Sequence, residues 1–187
     1  MKTFISMLAV IVVLAVLGFA YACSGHYNIG ADAPHWPLTY RFLTMTRDRS
    51  IEHHAQSIKV PNLDDQALIL KGAGQYAAMC TGCHLSPGVH DSELRAGLYP
   101  KPPELAEDRV DPREAFWVIK HGIKLTAMPA WGATHDDDTI WSIVAFVRKL
   151  PGMTPAQYKD IVAKAPPDED MDMGNDKHDM HDDMKSH

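Results

Sequence analysis

The chain opens on an unbroken apolar run, passes through a short polar stretch, then alternates helix-period segments with Gly/Pro punctuation, and ends in polar residues. Lys2 precedes the run from Phe4 to Ala20, in which Ser6 is the one polar side chain. About 18 to 20 such residues cross a bilayer as a helix, more than the apolar core of a secretion signal usually needs. Residues 24–36 are polar and irregular, and Pro37 then opens an amphipathic pattern with Leu38, Phe42 and Met45 at i, i+4 and i+7. Arg41, Arg47 and Arg49 fall elsewhere on that wheel, and Val60-Pro61 is the expected end. Such a helix either packs on the following domain as a spacer or lies against anionic headgroups.

Four more helices follow from periodicity and capping. Asp64 is the expected N-cap of a helix carrying Leu68, Tyr76 and Met79, with Gly72 and Tyr76 on one face. Asp111-Pro112-Arg113-Glu114 is a helix start, after which Phe116, Ile119 and Ile123 face inward and Gly122 is a natural stop. A third pattern begins between Thr134 and Asp138, carries Ile140, Trp141, Val144 and Val147, and ends at Pro151-Gly152. Thr154-Pro155-Ala156-Gln157 starts a last short helix that Pro166 closes. No apolar-polar alternation of strand type is present, so the expected fold is all-α.

Charge changes the picture only at the end of the chain. Of 187 residues, 18 are basic and 24 acidic, a net of −6. From Pro166 to His187 there are 2 basic and 8 acidic residues, so the remainder is balanced. Nothing resembles the basic stripe of a nucleic-acid binder, and no nucleic-acid partner is expected.

The chemistry is concentrated in Cys80-Thr81-Gly82-Cys83-His84. Two cysteines two residues apart, with histidine directly after, form the covalent attachment signature of c-type haem. The thiols of Cys80 and Cys83 form the thioether bonds, and His84 is placed to bind the iron. A thioredoxin-like pair or half of a zinc site uses the same C-x-x-C. The first needs a βαβ context that is missing here, and the second needs two more ligands. The third cysteine, Cys23, abuts the apolar run and serves as anchor end, lipid site or free thiol.

Iron bound by His84 alone has an open face, so the opposite ligand decides the function. Met128, 44 residues later, lies in Lys124-Leu125-Thr126-Ala127-Met128-Pro129 between two expected helices, with Pro129 holding it extended. Spacing alone leaves it level with an ordinary packed methionine. His90 and His121 are alternatives by residue type.

The chain resembles class I c-type cytochromes, in particular the mono-haem family that includes the haem subunits of cbb-type oxidases. The resemblance rests on Gly72-x-x-x-Tyr76, the haem motif, the run from Phe116 to Ile123, Met128-Pro129-Ala130-Trp131-Gly132 and the run from Ile140 to Phe146. It implies a small helical bundle around one covalent haem, with Met128 as distal axial ligand and Gly72 and Tyr76 packed against Ile143 and Phe146. It also implies that the carbonyl of Pro103 accepts the ring N–H of His84, with Pro87, Pro100 and Pro102 as competitors. Haem attachment of this kind takes place outside the cytoplasm, which agrees with the exported N-terminus.

The organisation expected is a signal or membrane anchor at residues 1–22 and a juxtamembrane linker with its helix at 23–63. A cytochrome c domain follows at 64–153, then a short helix at 154–165 and a disordered acidic tail at 166–187. The function expected is electron transfer between redox proteins of membrane respiratory or dehydrogenase complexes, at the periplasmic side of a bacterial inner membrane. The chain is then an electron carrier and not an enzyme. An open distal site would instead make it a haem enzyme or a gas or peroxide sensor.

The tail raises a third reading. Met171, Met173, His178, Met180, His181, Met184 and His187 offer thioether and imidazole donors that suit copper, which would make the protein a copper-binding accessory. Calcium fits worse, because Met173 stands where an EF-hand loop needs glycine.

Overall fold

The computed structural model describes residues 1–166, so the copper donors expected in the tail lie outside the described residues. Helix α1 spans Lys2–Cys23, α2 Pro37–Ala55, α3 Gln66–Met79, α4 Thr81–His84, α5 Glu93–Ala96, α6 Pro112–His121, α7 Asp137–Val147 and α8 Pro155–Ala163. A single 3₁₀ turn, Trp131–Ala133, precedes α7. Among the described residues every regular element is helical, and the architecture is that of a cytochrome c fold with an apolar helix in front.

α7 lies at the centre. Thr139, Ile140 and every residue from Ser142 to Val147 are buried, as expected of a helix that is apolar on nearly all sides. It crosses α3 so closely that a Cβ on Gly72 would run into the Ser142 carbonyl. Tyr76 sits one turn further along, its ring centroid 5.5 Å from that of Phe146. Around this crossing Leu63, Ile69, Ala73, Phe116, Ile143 and Leu150 close the core. Each fully buried leucine, isoleucine or phenylalanine among them contributes about 1.5–3 kcal/mol.

The caps explain the helix starts. The Asp111 carboxylate accepts the Arg113 N–H at 2.8 Å, Asp136 accepts that of Thr139 at 2.8 Å, and Thr154 and Gln157 cap each other reciprocally. At α3 the capping residue is Asp65 and not Asp64: Asp65 accepts the Ala67 N–H at 2.8 Å. Asp64 turns away to pair with Lys149 at 2.8 Å, which ties the start of α3 to the end of α7.

α1 is 22 residues long and wholly exposed. At about 1.5 Å per residue it is as long as a hydrocarbon core is thick. α2 differs from expectation in where it stops. It ends at Ala55, before Val60, because the chain turns there to pack Ile58 and Leu63 into the core. Its apolar stripe points outward, with Leu38 81%, Phe42 60% and Met45 54% exposed.

Candidate functional site

The haem motif is a tight turn grown from the end of α3. Cys80 closes α3 and opens α4, and its carbonyl accepts the N–H of His84 at 2.8 Å. The next residue, Leu85, has φ 65° and ψ 173°, a backbone region otherwise left to glycine. Two contacts hold it there: the Leu85 side chain is buried, and the Tyr76 hydroxyl donates to the Leu85 carbonyl at 2.6 Å. That hydroxyl also reaches the His84 carbonyl at 3.3 Å, and burial pushes its ionisation well above the ordinary tyrosine range.

Nδ1 of His84 lies 3.0 Å from the carbonyl oxygen of Pro103. A carbonyl accepts only, so Nδ1 carries the proton and Nε2 keeps its lone pair for a metal. Burial lowers the basicity of the ring, against the raising effect of the Pro103 hydrogen bond. The segment carrying Pro103 is held in turn by Arg95, which is 8% exposed. Its guanidinium donates to the Pro102 carbonyl at 3.2 Å and pairs with Glu104 at 2.9 Å and Asp91 at 3.6 Å. Sequence reading missed this clamp, since a lone arginine in an irregular stretch carries no local signal.

Met128 belongs to the loop after α6. Gly122 ends that helix at φ 64°, and a Cβ there would lie 2.7 Å from the Met128 carbonyl oxygen. The Ile123 N–H donates to that carbonyl at 3.2 Å, and the Met128 N–H donates to the Thr126 hydroxyl at 3.2 Å. Gly132 seats the following turn against Lys120, whose ammonium pairs with Asp137 at 2.6 Å.

Cys80, Cys83, His84 and Met128 all border one cavity of about 580 Å³, within the roughly 300–1,000 Å³ typical of cofactor sites. Met79, Leu105, Val118, Ile119, Ile143 and Val147 make its wall largely apolar. Arg47, Lys101 and Arg109 also border it, and cations there suit the carboxylates of a haem. His90 and His121 are exposed and are not among the bordering residues. Ile123, expected to face inward, follows the Gly122 cap and borders the cavity.

The competing cysteine chemistries fare poorly. Burial, with Cys83 alongside, pushes the Cys80 thiol up to about 12, the opposite of a redox-active thiolate. Among the described residues no group of three or more His, Cys, Asp or Glu is placed to hold a metal ion. The donor set and the apolar wall fit a covalent haem.

Residues 67–147 match the model of the family described as cytochrome C oxidase, cbb3-type, subunit III. The match supports a cbb3-type cytochrome c haem domain over that segment. No match was found among curated proteins or among solved structures. The matched segment runs from the first turn of α3 to the last residue of α7, so α1, α2 and α8 lie outside it. A cytochrome c domain implies haem c and electron transfer through it. Yet α2, outside the haem domain, borders the cavity with Tyr40, Arg47, Asp48 and Ile51. Apolar side chains on both faces of one helix hide from periodicity which face packs.

Proposed function

We propose that the protein is a one-electron carrier whose haem iron is bound by His84 and Met128, held at the periplasmic face of a bacterial inner membrane by α1. The observation that carries this reading is that Cys80, Cys83, His84 and Met128 border one largely apolar cavity inside the haem domain. When bound, haem supplies an iron that cycles between ferrous and ferric states.

The chain's own residues do the rest. Pro103 fixes the ring of His84 through Nδ1, leaving Nε2 as the donor. Thioether sulfur from Met128 favours reduced iron, which raises the potential relative to a second histidine. The apolar wall limits water, so the surroundings rearrange little between oxidation states. Donor and acceptor are redox proteins of respiratory or dehydrogenase complexes, met through small transient interfaces. The length and composition of α1 support attachment to the membrane.

The visible spectrum of the purified protein, oxidised and reduced, with and without carbon monoxide, tests the proposal against Met128→Ala. A low-spin spectrum with the sulfur-to-iron charge-transfer band, insensitive to carbon monoxide and lost in the variant, is expected. A wild type that binds carbon monoxide would replace the carrier with an enzyme or sensor.

A further inference from the structure

α2 has two faces. Tyr40, Arg47 and Ile51 point to the haem cavity, while Leu38, Phe42 and Met45 lie about half a turn away around the helix and are exposed. Three bulky apolar side chains in a row on the outside of a helix need an occupant. The start of α2 shows which one. Trp36, the residue before it, stacks on Tyr21 in the last turn of α1, ring centroids 6.0 Å apart. Tyr27 meets Trp36 edge-on at 5.8 Å, which makes an aromatic cluster at the end of the apolar helix. Tyrosine and tryptophan collect at this level of a bilayer. Arg41, beside the stripe and with no partner for its guanidinium among the described residues, adds a cation suited to lipid phosphate.

We infer that the outer face of α2, with Leu38, Phe42 and Met45, lies in the headgroup boundary of the membrane that α1 enters, and so fixes the direction in which the haem cavity faces. The inference rests on α1 being a retained anchor. Side chains on such a helix sit about 5–10 Å into the boundary. The opposite face of the same helix then places the cavity roughly one helix diameter, about 10–12 Å, above the lipid. A second tie keeps the helix and the haem domain together: the His35 N–H donates to the Tyr99 hydroxyl at 3.2 Å, and His54 stacks on Trp117 at 5.4 Å between centroids.

Spin labels on the full-length haem-loaded protein, in vesicles of phosphatidylethanolamine and phosphatidylglycerol, test this. Single cysteines replace Leu14 in α1, Phe42 in α2 and Lys159 in α8, each in a Cys23→Ser background. Collision with oxygen, which favours lipid, is compared with collision with a nickel chelate, which stays in water. Labels at 14 and 42 are expected to be relaxed by oxygen and to lose relaxation by the chelate, and the label at 159 to do the reverse. A label at 42 that behaves like that at 159, while 14 stays in lipid, would overturn the docking and leave the anchor standing. A label at 42 reached by neither reagent would mean a protein contact, such as a second copy, and would also overturn it. Water-like labels at both 14 and 42 would remove the anchor itself.

Discussion

His84 and Met128 border one cavity from segments that are held very differently. The His84 side is over-determined: Tyr76 pins the turn from below, Pro103 holds the ring, and a buried Arg95 holds Pro102 and Glu104 behind it. On the Met128 side the loop rests on close backbone fits at Gly122 and Gly132 and on hydrogen bonds among Ile123, Thr126 and Met128, and none of residues 123–134 is buried. Support that reaches into the core lets a segment lose one contact and keep its shape. Support drawn from within one short loop does not. The contrast predicts that damage to the His84 side costs stability but spares ligation, whereas damage to the Met128 side costs ligation.

The sharpest break is Gly122→Ala. Its backbone angle disfavours a side chain and its Cβ would meet the Met128 carbonyl, so the loop must move, at about 3 kcal/mol. The haem should stay attached while carbon monoxide binding appears, read in the visible spectrum. Arg95→Leu should cost about 2 kcal/mol in urea denaturation, less than a fully buried pair because Asp91 and Glu104 keep contact with water. Its spectrum should stay low-spin; carbon monoxide binding there would end the contrast.

Tyr76→Phe leaves the Leu85 carbonyl without its donor and should lower stability by about 1.5 kcal/mol, again with ligation intact. The smallest effect is at the start of α6, whose far end holds the Met128 loop. The Arg113 side chain, helped by the helix amides, holds the Asp111 carboxyl below its ordinary 3.8. The stability this adds is complete above about pH 4 and is lost as pH falls through the lower folded value. Asp111→Ala should therefore cost about 1 kcal/mol at neutral pH and nothing in strong acid, where the urea midpoints converge.

Much of this arrangement is local and therefore legible in the sequence. Asp111, Thr154 and Gly122 act through neighbours a few residues away, and the haem motif is a single turn of chain. What was missed is tertiary. Asp64 and Asp65 are chemically identical, and only the position of Lys149 assigns one to pairing and the other to capping. Periodicity found an apolar stripe on α2 but not that the less regular face, with Tyr40 and Ile51, is the one that packs. The grouping of Met128 with His84 follows the order of motifs, whereas the Arg95 clamp depends on where distant loops meet.

The left-handed twist at Leu85 has a consequence for how the protein is made. Only a completed core, with Tyr76 and Leu85 both buried, holds that backbone in place, while Cys80 and Cys83 stay at the border of the cavity. Until that core forms, nothing keeps the segment from relaxing to an ordinary backbone angle. The turn that carries Cys83 and His84 therefore takes its final shape only when the core closes behind it.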